Sequence, residues 1–242
     1  MKKYAFLFGN TNGLPGVHRD LINFRNHLCS NFGGAWDASE VKIEQNLSLI
    51  DLEKRLNELS RNKYEYLIIY FSGHGGKCFN RDFISLNKNN ETIEFCKLTG
   101  ISKKQLTIFD CCRASVDKCV INDSKNFSRQ ENANRFRSFF EKRISEAREQ
   151  QMILYSCKDY QLSNDTSEGG LYTCHFLKYA KDIQSLNKSE LLVSECHELA
   201  RAKVIEESNN TQTPDYQMPR LPSENQLIIS VNPKLYNYKD FF

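Results

Sequence analysis

No two cysteines in this chain stand in the Cys-x-x-Cys spacing, and their number, nine, is odd. That argues against a zinc ribbon and gives no sign of a disulfide framework, so the thiols are expected to be reduced, as in a cytoplasmic protein. Long apolar runs are missing as well. The N-terminal run Tyr4 to Phe8 is too short for a signal peptide core and has no small-residue cleavage site after it, and no later run is long enough to cross a bilayer. A membrane partner is therefore not expected. Charge of one sign is scarce too: the formal net charge is +3, too balanced to imply nucleic acid. The glycine loop after the first apolar run, Gly9 to Gly16, has neither G-x-G-x-x-G nor a Gly-Lys-Ser/Thr ending, which speaks against a nucleotide cofactor.

What remains is an ordinary globular composition: 242 residues, 40% hydrophobic and 26% charged, enough for one sizeable core. Strand-like runs at Lys3–Phe8, Val41–Ile43, 64–72, 105–110 and 151–157 alternate with helical spacings at Asp20–Phe32, Ser48–Ser60 and Phe139–Gln150. This alternation predicts an α/β fold with a mostly parallel sheet and right-handed crossovers. Phe83–Leu86 and Thr92–Phe95, around Lys88-Asn-Asn, read as a hairpin over the carboxyl edge. Helices at Leu171–Lys181 and Ser189–Glu207 and a last strand at Gln226–Val231 complete the reading. His175 and His197 fall in these helices and are read as structural.

Two apolar runs end in chemistry-bearing residues. Residues 64 to 76 close on Ser72-Gly73-His74-Gly75, and the run at 105 closes on Asp110-Cys111-Cys112-Arg113-Ala114. In an open parallel sheet, neighbouring strands deliver such endings to one carboxyl edge, where ligands gather. Residues two apart share a side of a strand, so Asp110 goes with Cys112 and Ser72 with His74. A thiol beside an imidazole forms an activated nucleophile, and the backbone amides of Gly75 and Cys112 are suitable oxyanion donors. Either residue alone is equally compatible with packing, since free cysteine is commonly buried.

Ser-Gly-His-Gly and Asp-x-Cys, each after an apolar strand, resemble the caspase-like cysteine peptidases, and within them the metacaspase branch. The animal caspase signature Gln-Ala-Cys-x-Gly matches less well, because Asp110 and Ala114 replace its first and last residues. Gly16-Val-His-Arg-Asp20-Leu is similar to a further metacaspase segment, with Arg19 where that pattern has Asn. The resemblance implies a three-layer α-β-α sandwich of about six strands and a single peptidase domain over 1–242: a large half 1–114, a polar linker loop 115–138 and a small half 139–242. It makes Cys112 the nucleophile, His74 the general acid and base, and Cys111 dispensable. It also places Asp20, Ser72 and Asp110 around the substrate's P1 side chain, implying cleavage of proteins after Arg or Lys, since an acidic P1 residue would be repelled.

With that preference, Lys118, Lys125, Arg129, Arg135 and Arg137 become candidate processing sites, cut by the enzyme itself or by an activating protease; the bland reading is a solvated loop in which such residues are common. A regulatory partner and a role in microbial defence or cell death are expectations from the family alone. No cofactor or metal is required by the chemistry. Many metacaspases are stimulated by calcium, but no acidic loop here has calcium-ligand spacing. Caspases pair through their last strand, which here would be Leu227 to Val231. The stretch Ser163 to Thr173 resembles a substrate-facing loop, so Ser156, Cys157, Asp159 and Glu168 are placed near substrate without assigned roles. Two other readings stand beside the peptidase: a pseudoenzyme that binds basic peptides as a scaffold, and a metal-dependent hydrolase, the latter disfavoured by ligand spacing.

Overall fold

The computed structural model describes residues 1–78, 80–114, 134–232 and 235. In chain order the elements are β1 (Lys3–Gly9), α1 (Gly16–Cys29), β2 (Val41–Gln45), α2 (Leu49–Asn62), β3 (Tyr66–Gly73), β4 (Gly75–Cys78), β5 (Arg81–Ser85), β6 (Thr92–Glu94) and β7 (Lys104–Cys111). There follow α3 (Asn134–Glu146), β8 (Gln150–Tyr155), β9 (Asp165–Thr166), β10 (Gly169–Gly170), α4 (Leu171–Lys181), β11 (Glu190–Leu192), α5 (Val193–Glu207), β12 (Asp215–Gln217) and β13 (Ile228–Val231).

Six strands form the central sheet in the order β12-β8-β7-β3-β1-β2. Its inner neighbours are parallel, and only β12 runs antiparallel, against β8. The strand period sorts side chains onto two faces. Ala5, Leu7, Tyr66, Ile68 and Tyr70 meet the apolar stripes of α1, α3, α4 and α5. Phe6, Phe8, Leu67, Ile69 and Phe71 meet α2 and the β5–β6 hairpin. Because β3 is covered on both sides, its sequence is apolar throughout rather than alternating, and all eight of its residues are buried. This is the expected three-layer architecture.

Local chemistry sets the element ends. Ser48 caps α2 by accepting from the Asp51 N–H at 3.2 Å, and Lys63 ends it in a left-handed conformation. α1 starts at Gly16, four residues before the expected Asp20: Pro15 fixes its entry, and Val17, four residues before Leu21, extends the buried stripe by one turn. Asp20 thus lies within a helix and faces the sheet.

Three expectations are corrected. The hairpin over the carboxyl edge has a third strand, β4, which leaves His74 directly and pairs with β5. The expected linker loop 115–138 ends early, since α3 begins at Asn134; its polar first turn is held by ion pairs, which apolar spacing does not reveal. The last strand, β13, is not part of the central sheet: it is buried and pairs with β11, while the sheet's edge is β12. The edges of the central sheet are therefore Asp215–Gln217 and, on the other side, β2, rather than Leu227 to Val231.

Candidate active site

β3 and β7 are adjacent and parallel, with Ser72 opposite Asp110 and Gly73 opposite Cys111. The residues that follow, His74 and Cys112, leave the sheet side by side and line one cleft of about 50 Å³. Gly73 makes the exit possible: its φ is +147°, and a Cβ there would stand 2.9 Å from the Asn10 nitrogen. The His74 Nε2 lies 2.5 Å from the Asn12 carbonyl. A carbonyl only accepts, so Nε2 carries the proton and Nδ1 is the ring nitrogen left for proton exchange.

The adjacent thiols have opposite surroundings. Cys111 is 2% exposed, packs against Gly75, and is pushed well up from the usual thiol range by burial. Cys112 is half-buried and its sulfur meets the Ser163 N–H at 3.3 Å. Both line the cleft, but Cys112 is the more exposed of the pair.

Gly75, the residue after His74, packs against the end of β7 without lining the cleft itself. The Ser85 N–H donates to the His74 carbonyl at 2.9 Å and the Lys77 N–H donates to the Ala114 carbonyl at 3.0 Å. Alternation along β4 turns the Gly75 N–H to the side of Lys77, toward the end of β7. A side chain at Gly75 would strike the Cys111 sulfur at 2.5 Å and the Cys112 carbonyl at 2.8 Å, so the close approach of this amide depends on glycine.

Beside Cys112 lies a carboxylate cluster. Asp20 is 1% exposed and Asp110 4%. Asp20 accepts from Ser72 Oγ at 2.8 Å and, through both oxygens, from the Gly170 N–H at 3.0 Å. Asp110 accepts from Ser163 Oγ at 2.8 Å, from Thr173 Oγ1 at 2.6 Å and from the Thr173 N–H at 3.1 Å. Burial, then the charge of Asp110, push Asp20 well above the usual carboxylate range; burial also raises Asp110 against the pull of those hydrogen bonds. The structure thus gathers Asp20, Ser72 and Asp110 at one point, and covers them with the β9–β10 hairpin. Gly170 fits between the two acids, since a Cβ there would lie 2.3 Å from Asp110 Oδ2.

A third carboxylate, Asp165, went unforeseen. It lines the cleft, accepts from the Gly16 N–H at the start of α1 at 3.3 Å, and is raised by burial and by Asp110 while His74 opposes the shift. Nothing in Ser163-Asn-Asp-Thr marks it, because the contact depends on how a loop folds back. Among the described residues lining the cleft there is no Lys or Arg.

The remaining candidates sort themselves by contact. Asp159 pairs with Arg113 and Lys77, which also hold Asp82, so it clamps the chain after Cys112 rather than facing the cleft. Ser156 Oγ bonds the Cys111 amide at 3.1 Å, and Cys157 is fully buried with its thiol pushed up to about 12 by burial. Glu168 reaches Arg19 on α1 at 2.5 Å. His175 pairs with Glu207 at 2.9 Å, and His197 meets the Tyr172 hydroxyl at 2.8 Å, its pKa pushed down to about 3 by burial. Lys118, Lys125 and Arg129, and the side chain of Arg135, lie outside the described residues. Arg137 sits inside α3, its guanidinium forked onto Glu40 at 2.6 and 2.7 Å, a geometry unlike the extended backbone that peptidases cut. Among the described residues no group of three or more His, Cys, Asp or Glu is arranged to hold a metal, and no helix is long and apolar enough to cross a membrane.

Comparison with known proteins agrees with this geometry. The chain is similar in fold to a protein of Geobacter sulfurreducens, GSU0716, at a TM-score of 0.64 and 15% identity, covering 93% of this chain and 97% of that one. It is also similar to caspase-1 of Spodoptera frugiperda, at a TM-score of 0.58 and 13% identity over 89% of this chain and 86% of that one. Among curated proteins no sequence match was found. The caspase domain profile, of a peptidase family, matches residues 2–226. With His74 and Cys112 at the ends of paired strands and a family match over nearly the whole length, the chain belongs to the caspase-domain family of cysteine peptidases.

Proposed function

We propose that this chain is a cysteine endopeptidase of metacaspase type that cleaves proteins after Arg or Lys. The observation that carries the reading is the pairing of β3 with β7, which brings His74 and Cys112 to one cleft. His74 Nδ1 takes the Cys112 proton, and the thiolate attacks the scissile carbonyl. The tetrahedral oxyanion is met by the N–H groups of Gly75 and Cys112. On collapse the C–N bond breaks, and the imidazolium gives its proton to the departing amine, leaving a thioester on Cys112. Water, deprotonated by the same imidazole, attacks the thioester; the acid product and the Cys112 thiol are then released.

The P1 preference rests on charge. Asp20 and Asp110 offer carboxylates that neutral hydroxyls and amides satisfy in the resting protein, and a substrate guanidinium takes over these acceptors from the Gly170 and Ser163 donors, with Asp165 lining the same cleft. Peptides with Arg, Lys or Asp at P1 test the proposal on wild type, Cys112→Ala and Cys111→Ala. Turnover is expected with Arg and Lys only. It should fall at least ~1000-fold in Cys112→Ala and persist in Cys111→Ala. Turnover that survives Cys112→Ala, or a preference for Asp, overturns it; binding of basic peptides without turnover identifies a pseudoenzyme scaffold instead.

A further inference from the structure

Gln212 is 0% exposed and lies far along the sequence from both motifs, yet every polar atom of its amide is spent on the loop that touches the nucleophile. Its Nε2 donates to the Ser156 carbonyl at 2.9 Å and to Ser163 Oγ at 3.2 Å. Its Oε1 accepts from the Asn164 N–H at 2.9 Å. Ser208 pins its backbone from both sides, Oγ accepting from the Gln212 N–H at 3.1 Å and lying 3.2 Å from its carbonyl. The amide therefore has one orientation, and it fixes the direction of its neighbour's proton. Ser163 Oγ accepts from Gln212 and so donates onward to Asp110 at 2.8 Å. With the side chain and the following amide both held, the Ser163 N–H points at the Cys112 sulfur at 3.3 Å, closer than the Ser163 carbonyl, to which the resting thiol donates at 3.7 Å.

We infer that Gln212 is a positioning residue for the reaction: by locking Ser163 it aims a main-chain N–H at Cys112 and favours the thiolate, while tying the nucleophile to the P1 carboxylate Asp110 through one hydroxyl. A hydrogen bond to the charged form of a group stabilises that form, and an N–H donor held by buried partners needs no reorganisation to do so. The inference rests on Cys112 being the nucleophile, but its test does not require turnover.

The pH dependence of Cys112 alkylation by iodoacetamide is followed by mass spectrometry of the Cys112-containing peptide, in wild type, Gln212→Met and Gln212→Glu. Met removes all the amide hydrogen bonds at similar volume; Glu keeps an acceptor for the Asn164 N–H. The expected result is an upward shift of the alkylation profile by about one pH unit in Gln212→Met, roughly tenfold less thiolate at neutral pH, and a smaller shift in Gln212→Glu. Peptidase activity should fall in kcat more than KM. A lowered thermal midpoint with an unmoved alkylation profile would show a merely structural residue and overturn the inference. Should the variants not fold, the Ser163 amide resonance of ¹⁵N-labelled wild type decides: it must titrate together with Cys112, and an amide that does not follow the thiol overturns the inference equally. Turnover surviving Cys112→Ala would instead overturn the catalytic assignment, which separates the two failures.

Discussion

Two acidic clusters sit at opposite edges of one sheet and are neutralised in opposite ways. At the amino edge, Glu40 and Glu141 close on the buried Lys3, on Arg137 and on the N-terminal amine. Burial pushes Glu40 up, but the Arg137 and backbone hydrogen bonds together with the Lys3 charge outweigh it and hold that carboxyl below its ordinary range. At the carboxyl edge, Asp20 and Asp110 are met only by hydroxyl and amide donors and stand above theirs. Cations from the protein itself complete the first cluster. The second is met by neutral donors alone, and under the proposed function it is the substrate's cation that answers its charge, which would separate structural acids from recognition acids.

Removing an acid from the second cluster should have the largest effect. Asp110→Asn and Asp20→Asn are expected to lower kcat/KM for peptides with Arg at P1 on the order of 100-fold, as for a buried charge pair that loses one member. Peptides with a neutral P1 of similar length should change little. The measurement is the ratio of kcat/KM for Arg over Gln at P1. An unchanged ratio in both variants would break the comparison, because these acids would then be as structural as Glu40.

Stability should respond in the reverse sense. Glu40→Gln removes one partner from a set of ion pairs and should cost roughly 1–2 kcal/mol near neutral pH. Asp20→Asn removes a carboxylate that burial and Asp110 disfavour, and should leave stability unchanged or raise it. Their pH dependences differ in sign. Asp20 holds its proton longer in the native state than in the unfolded chain, so its charge destabilises the fold as pH rises through its raised native pKa. Glu40 loses its proton more readily in the native state, so its contribution is present above the ordinary glutamate range and is lost as pH falls through the depressed native value. Urea midpoints from about pH 3 to 8 should show Asp20→Asn flattening the decline as pH rises above the ordinary aspartate range and Glu40→Gln flattening the loss as pH falls below the ordinary glutamate range.

The carboxyl-edge cluster was only partly legible in the sequence. β3 and β7 declare themselves as unbroken apolar runs, because a strand buried on both faces has no polar side to show, and their endings place His74, Cys112, Ser72 and Asp110 in register. Asp20 was legible only through resemblance, since it sits on the inner face of α1 where periodicity alone would predict an apolar residue. Asp165 and Gln212 were not legible as site residues. They reach the site from the two-residue strand β9 and from the loop after α5, segments too short to show a repeating pattern and held by hydrogen bonds among side chains. The edge strand β12 is three residues of Asp-Tyr-Gln, too short to carry a period.

The amino-edge cluster also sharpens where the chain is to be cut, the smallest effect expected here. Arg137 is one of the basic residues read from the sequence as a processing site, but its guanidinium holds both oxygens of Glu40, and its backbone is helical. To enter a peptidase cleft it must give up the forked pair and unwind the first turn of α3, whose Phe140 packs against Trp36 and Tyr66 just beyond. If the chain is processed at basic residues, new C-termini should therefore appear at Lys118, Lys125 or Arg129 and not at Arg137. Intact-mass and terminal-peptide analysis of the incubated wild type, with Cys112→Ala as the control for self-cleavage, reads this directly. Arg137→Gln should leave the fragment pattern unchanged while lowering the thermal midpoint by a few degrees. A terminus at Arg137 would mean that the amino-edge cluster opens as readily as the carboxyl-edge cluster does in the proposed function.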